Sequence, residues 1–270
     1  MRRYLCILLA ALMLCICAAA ETEIIGGADG PTAIYVGESE PEVVDIVGEV
    51  ESAEVPAQEP DEALPLAGVV IGIDPGHQAH ANSEREPVAP GSSEMKAKVS
   101  SGTQGVRTGI PEYVTNLEVS FKLRDALEAL GATVYMTRES HDVNISNMER
   151  ALMFNELGAD LVLRIHCNGS NNSGTHGIGT YARKTGDRQE ECERAANLVL
   201  DAVCATTGAR RDGVFLWDTY TGQNWSTVPC IMVEMGYMSN PEEDVKLNDP
   251  DYQDLLVAGM VEGICQYFER

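Results

Sequence analysis

The stretch Val-Val-Ile-Gly-Ile-Asp-Pro-Gly-His at residues 69–77 is an apolar run that ends abruptly in a polar turn and a histidine. The run Leu-Val-Leu-Arg-Ile at residues 161–165 ends in the same way, in His166. Short apolar runs bounded by turn residues are typical of strands buried inside a sheet. Because functional side chains collect at strand ends in α/β proteins, we expect His77 and His166 to lie at one site.

Predicted strands and helices alternate through residues 66–270, which indicates one folded domain of about 200 residues. This alternation favours an α/β fold, a three-layer domain with a largely parallel central sheet flanked by helices. A long polar surface loop is expected at residues 78–110. The predicted strands are 68–73, 132–137, 161–165, 177–182 (an edge strand) and 230–233, and the predicted helices are 113–130, 146–158, 189–206 and 251–268.

The N-terminal 65 residues do not have the composition of a folded domain. Residues 1–20 combine two arginines, a short apolar core and a run of alanines, the organisation of a cleaved secretory signal peptide. An uncleaved anchor is the alternative, although the apolar core is shorter than the ~20 residues that span a bilayer. Residues 21–65 contain 13 acidic residues, no lysine or arginine and five prolines, so we predict an acidic disordered linker.

Charge and cysteine content exclude several classes of partner. The formal net charge is −23, from 19 basic and 42 acidic residues, which excludes nucleic acid as a partner because phosphates need a basic surface. The charge and the short apolar core also predict no stable membrane insertion after signal cleavage. Five of the eight cysteines follow the predicted signal peptide, and this odd, widely spaced set does not suggest a disulfide framework, although a single bridge stays open.

A third ligand would complete a catalytic metal site around the two histidines. Catalytic zinc is typically held by three nitrogen or oxygen ligands and keeps a fourth position for water. Glu112 follows Pro111 at the predicted start of a helix and is a candidate ligand. The alternative is that Glu112 only stabilises the positive end of the helix dipole. Glu234, which ends the apolar run 230–233, brings a further carboxylate to a strand end.

Four ordered motifs carry a family resemblance over residues 68–268. They are DPGH at 74–77, Glu112 five residues before Leu117, RIHCN at 164–168 and VEMGYMSN at 233–240. Together they resemble the zinc-dependent N-acetylmuramoyl-L-alanine amidases of the amidase-3 type. The chain departs from that pattern at Gln78, where glycine is common, and in the length of the segment between His77 and Glu112.

The resemblance implies a role for each matching residue. It implies that His77, Glu112 and His166 bind one Zn²⁺ ion and that Glu234 is the catalytic acid–base. Glu118 is a rival for the third ligand, but it follows Leu117, whereas the family ligand precedes that landmark. Among the remaining candidates, we expect substrate contacts from His176, Asn168, Arg164 or Arg107, solvated loop positions for His80 and His141, and a buried structural thiol at Cys167, on the strand face opposite His166.

The resemblance also implies the substrate and the location. The substrate would be peptidoglycan, cut at the amide bond between N-acetylmuramic acid and L-alanine of the stem peptide. The enzyme would be secreted, extracellular or cell-wall associated, or periplasmic in an envelope with an outer membrane, and a wall-associated protein could recruit or activate it. Two alternatives stay open: a zinc peptidase that cuts within the stem peptide, and a non-catalytic wall-binding protein of the same fold.

Overall fold

The computed structural model describes residues 63–270, which build helices on a six-stranded sheet. The predicted signal peptide (1–20) and nearly all of the predicted linker (21–65) lie outside the described residues. Within residues 63–270, no helix combines the length and the apolar character that crossing a membrane demands.

The central sheet has the strand order β4-β1-β5-β8-β6-β7, in which β6 runs antiparallel to β8 and the other neighbours are parallel. The predicted α/β class with a largely parallel sheet is therefore confirmed. The strands are β1 (Val70–Pro75), β2 (Asn82–Pro87), β3 (Met95–Val99), β4 (Thr133–Met136), β5 (Leu161–Asn168), β6 (Ile178–Ala182), β7 (Arg211–Leu216) and β8 (Cys230–Tyr237). The helices are α1 (Glu112–Ala129), α2 (Asn147–Leu157), α3 (Gln189–Thr207), α4 (Thr221–Asn224), α5 (Pro241–Leu247) and α6 (Pro250–Tyr267).

The two faces of the sheet have different coverings, because alternate residues of a strand point to opposite sides. One face buries a large apolar core against α1, α3 and α6, to which β5 contributes Leu161, Leu163 and Ile165. The other face carries Val162 and His166 from the same strand. There Phe154 of α2 packs on the sheet, in a smaller cluster. This second face holds the candidate site.

Local signals fix α2 as the sequence predicts. The hydroxyl of Ser146 accepts a hydrogen bond from the Glu149 amide, and the Glu149 carboxylate accepts one from the Ser146 amide. This capping box satisfies two main-chain donors that the first helical turn leaves free. Gly158 ends the helix with a left-handed φ of 63°, a conformation that glycine adopts without steric cost.

Two predictions about the sheet and its loops were wrong. Residues 177–182 were expected at an edge, but β6 lies between β8 and β7, and β7 forms that edge. The first half of β7 is Arg-Asp-Gly, and because Asp and Gly are uncommon in strands the sequence did not predict a strand there. The expected loop at 78–110 contains the antiparallel pair β2–β3. These strands lack apolar alternation because the pair forms a separate sheet, in which most residues are exposed or half-buried.

Candidate metal centre and active site

Three residues that are distant in the sequence meet at one edge of the sheet. His77, Glu112 and His166 each offer one ligand atom, and these three atoms lie within 4.8 Å of one another. His77 follows β1, Glu112 opens α1 and His166 lies near the end of β5. The structure therefore brings together the trio that the sequence predicts.

His77 is held in a demanding backbone conformation. Its φ is 61°, in the left-handed region that side-chain-bearing residues seldom adopt, and the Arg150 guanidinium donates a hydrogen bond to its carbonyl. The ring nitrogen Nδ1 lies 2.9 Å from the carbonyl oxygen of Ser100. Because a carbonyl only accepts, Nδ1 carries the proton in the neutral ring and Nε2 keeps a lone pair. That lone pair faces Glu112 Oε1, 3.2 Å away.

Glu112 is fixed by main-chain amides at both carboxylate oxygens. Oε1 accepts from the Cys167 amide at 3.1 Å, and Oε2 accepts from the Thr103 amide at 2.9 Å. Burial opposes ionisation of this carboxyl, but its hydrogen bond with the His166 ring holds its pKa well below the ordinary value. Glu112 is therefore an anion at neutral pH, as a metal ligand must be.

His166 is almost wholly buried beside Glu112. Its Nδ1 lies 3.2 Å from Glu112 Oε1, and its Nε2 is buried without a hydrogen-bond partner among residues 63–270. Burial lowers the pKa of the ring to about 4, so the imidazole is neutral and able to act as a ligand at neutral pH. A Cβ atom on Gly76 would approach the ring to 2.3 Å, so glycine is required at that position for the ring to lie where it does.

The donor set fits zinc. Two neutral imidazoles and one carboxylate form the N, N, O triad of many catalytic zinc sites. The Ser100 carbonyl behind His77 is the kind of outer partner that fixes a ligating histidine in one tautomer.

Glu234 lies beside the trio, on β8. It is the register partner of His166 across the β5–β8 pair, and partners in a ladder direct their side chains to the same face. Burial and the negative charge of Glu112 raise the pKa of Glu234 well above its ordinary value, against the opposing effect of Arg164. Its Oε2 is buried and has no hydrogen-bond partner within the described part of the chain. Such a carboxyl is suited to taking up and releasing a proton.

A buried network of charges supports the end of β1. Asp74 Oδ1 accepts hydrogen bonds from Arg150 at 2.7 Å and from the Thr137 hydroxyl. Asp74 Oδ2 accepts one from Arg164 at 2.8 Å. Although burial opposes ionisation, the two guanidinium groups keep the pKa of Asp74 far below its ordinary value. Arg138 donates to the main-chain carbonyl of Gly76 and so holds the turn that leads to His77.

The rival candidates lie away from the metal trio or are engaged elsewhere. Glu118 is exposed and contacts Gln253, so Glu112 is the carboxylate that meets the histidines. Cys167 belongs to the apolar core on the opposite face, as expected. Arg164 is buried, and its guanidinium donates through Nε to Asp74 and through Nη2 to Asn147. The exposed ring of His176 hydrogen-bonds to the Gly174 carbonyl, two residues away in the chain.

His141 and two main-chain groups beside the trio have surroundings that the sequence did not predict in full. His80 is exposed, as expected. His141 lies in a loop, as expected, but it is half-buried, because its ring packs edge-on against Tyr113 and its Nδ1 is buried. The carbonyl of Ser100 and the amide of Thr103 were not anticipated as supports for the trio. The residue types in the sequence do not show which main-chain groups will make such contacts.

Comparisons with known proteins agree with this geometry. The Amidase_3 family model, described as N-acetylmuramoyl-L-alanine amidase, matches residues 71–266. The germination-specific N-acetylmuramoyl-L-alanine amidase of Bacillus subtilis is 28% identical over 223 residues, which cover 76% of this chain and 82% of that protein. The N-acetylmuramyl-L-alanine amidase Ami1 of Mycobacterium smegmatis has a similar fold, with a TM-score of 0.70 at 24% identity, covering 76% of this chain and 98% of that one. The CwlD amidase of Clostridioides difficile, solved in complex with the GerS lipoprotein, has a TM-score of 0.61 at 19% identity and covers 74% of this chain and 98% of that chain.

Proposed function

The chain belongs to the N-acetylmuramoyl-L-alanine amidase family, Amidase_3, and on that premise we propose that His77, Glu112 and His166 hold one zinc ion in it. The protein is a peptidoglycan hydrolase that cuts the amide bond between N-acetylmuramic acid and L-alanine of the stem peptide. The observation that supports the metal assignment is the convergence of three ligand atoms within 4.8 Å.

Zinc, when bound, supplies Lewis acidity: it lowers the pKa of a water molecule to about 7 and polarises the scissile carbonyl. The surrounding residues keep the ligands in place. The Ser100 carbonyl fixes the tautomer of His77, and the main-chain amides of Cys167 and Thr103 hold the carboxylate of Glu112.

Glu234 is proposed as the group that moves the proton. Its buried Oε2 takes the proton of the attacking water and returns it to the amine of the leaving L-alanine. The raised pKa supports this role, because a carboxyl that accepts a proton readily is the better base. General acid–base help of this kind contributes roughly 10²–10⁴-fold to a rate.

The Glu234→Gln variant tests the two proposals separately. We expect zinc content, measured by atomic absorption on the purified protein, to match the wild type, while dye release from labelled peptidoglycan falls at least 100-fold. Glu128→Gln, at an exposed position of α1, is the matched control and should keep both properties. Full activity in Glu234→Gln would contradict the proton-transfer role of Glu234. Full activity in zinc-free wild-type protein would contradict the proposal that catalysis needs the metal.

Product analysis distinguishes the amidase from a stem-peptide peptidase. Mass spectrometry of digested wall should find intact muramic acid and peptides that begin with L-alanine. Peptides cut between later residues would indicate the peptidase instead.

We also propose export, a linker and a recruiting partner. Residues 1–20 would be removed on secretion, so the mature chain should begin at Glu21, which N-terminal sequencing of the exported protein would check. The acidic segment 21–65 would then link the start of the mature chain to the amidase catalytic domain at 66–270. A wall-associated protein as recruiter or activator is consistent with the complex of the CwlD amidase with a lipoprotein, and co-purification from envelope fractions tests it.

A further inference from the structure

Four aromatic side chains form a continuous cluster on β6, β7 and the segment that follows β7. We call Tyr181, Phe215, Trp217 and Tyr220 the aromatic platform. The rings of Tyr181 and Phe215 are stacked at 4.8 Å, those of Trp217 and Tyr220 are nearly parallel at 6.1 Å, and Tyr181 meets Trp217 edge-on at 5.1 Å. The four rings therefore form one connected cluster.

The aromatic platform shares a sheet face with the catalytic residues. Glu234 pairs with Gly179 on β6, and Tyr181, two residues further along, pairs with both Met232 and Phe215. Residues two apart on a strand lie on the same face, so Tyr181 and Glu234 face the same side. Because β6 runs antiparallel to β8, the platform lies on the face that carries Glu234, displaced toward the start of β8.

Trp217 is the exposed member of the aromatic platform, because Tyr181 is only 6% exposed and Phe215 and Tyr220 are half-buried. Further along the sheet, α2 and α4 cover the same face above β1 and β5, where Phe154 and Gly222 approach Gly72 and Arg164. The helix that packs on β6 and β7 is α3, and it covers the face of the sheet opposite to the one that carries Glu234. Trp217 is 45% exposed, a large exposure for an indole that stacks on other rings. An exposed ring surface beside a catalytic site is a candidate substrate contact.

We propose that the aromatic platform is a glycan subsite that binds a sugar ring of the peptidoglycan strand, with Trp217 as its principal contact. This inference rests on the proposed function. The C–H bonds on one side of a pyranose ring form an apolar, slightly positive surface, which complements the negative face of an aromatic ring. From the strand spacing and the register, Trp217 lies about 15 Å from Glu234, a span of a few sugar residues along the polymer.

The charges around the platform favour a neutral sugar over the stem peptide. Two carboxylates lie at its margin. Asp212 accepts from the Tyr237 hydroxyl and forms an ion pair with Arg210 at 3.2 Å, and Asp218 accepts from the Lys184 and Thr185 amides. The ammonium of Lys96 is engaged by the Thr219 carbonyl. These charged groups are already paired, which suits an uncharged N-acetylated sugar better than the charged groups of a stem peptide.

Removing the indole tests the glycan subsite. We expect Trp217→Ala to lower, by about tenfold, the ratio of kcat/KM on soluble uncross-linked peptidoglycan strands to kcat/KM on N-acetylmuramoyl dipeptide, mainly through KM. Trp217→Phe, which keeps a ring, should recover most of the ratio. The matched control is Tyr135→Ala, which removes a 39% exposed ring from β4 at the opposite edge of the sheet and should not change the ratio.

A binding measurement makes the test independent of catalysis. Titration with the N-acetylglucosamine tetrasaccharide should change the tryptophan fluorescence of the wild type and of Tyr135→Ala, and should give no change in Trp217→Ala. An unchanged ratio in Trp217→Ala, or a fluorescence change caused by free stem peptide and not by the tetrasaccharide, would overturn the glycan subsite. Wild-type protein that binds the tetrasaccharide but cleaves neither substrate would instead remove the proposed function and support the subsite.

Discussion

Replacing Asp74 by asparagine tests whether the buried charge network stabilises the fold. The carboxylate is 1% exposed and bridges Arg150 and Arg164, whose side chains are 2% and 5% exposed. Asparagine keeps the size but leaves two buried guanidinium groups without a counter-charge. Breaking a buried ion pair by removing one partner costs about 3–5 kcal/mol, and because one carboxylate serves two arginines we expect about 4 kcal/mol.

That loss is large enough to measure by two methods. For a domain of this size it corresponds to a fall in Tm of about 8–16 °C, at roughly 2–4 °C per kcal/mol. In urea, with an m value of about 2–3 kcal/mol/M, the midpoint should fall by about 1.3–2 M. The control is Asp254→Asn, whose partner Lys122 lies 2.6 Å away but whose side chain is 58% exposed, so its loss should not exceed about 1 kcal/mol.

The pH dependence provides a second check with a definite sign. The folded-state pKa of Asp74 lies far below its ordinary value of 3.8, so the stability that it contributes is present above that value and is lost as the pH falls below it. Between pH 4 and pH 3 the stability difference between wild type and Asp74→Asn should narrow by about 1 kcal/mol. The electrostatic argument would be refuted if Asp74→Asn were as stable as Asp254→Asn at pH 7 and if its stability difference from the wild type did not narrow between pH 4 and pH 3.

Three further substitutions test the site. Gly76→Ala should displace the His166 ring, because its Cβ would lie 2.3 Å away; we expect an activity loss of about 100-fold, whereas Gly174→Ala should have little effect. Glu112→Gln should abolish zinc binding in atomic absorption, while the exposed Glu118→Gln retains it, and equal zinc contents would refute the choice of ligand. Cys167→Ala should keep peptidoglycan hydrolysis and lose about 1 kcal/mol of stability in urea unfolding, since a buried thiol on the core face takes no part in catalysis.

The sequence predicted those features that depend on side-chain type and spacing. Apolar runs identified β1, β5 and β8, and the Ser146 capping box located the start of α2. The metal trio followed from polar residues at strand ends and from the family resemblance. These signals are local, and each depends on the residues present within a few positions of the element.

The features that were missed depend on long-range pairing. β7 pairs with β6 despite its polar first half, because hydrogen bonds to a neighbouring strand decide its conformation there. The pair β2–β3 has few apolar residues since it is not part of the main sheet. Residues 181 and 215–220 meet in the aromatic platform only because β6 and β7 pair in this register, and the sequence alone does not reveal that register.

The double attachment of Glu112 has a consequence for binding of the proposed metal ion. Because an amide proton already restrains each oxygen, the carboxylate is oriented by folding itself, before any ion arrives. The entropy of ordering this ligand is therefore lost during folding and not at the moment of capture. Binding of the proposed ion should then proceed without rearrangement of this carboxylate.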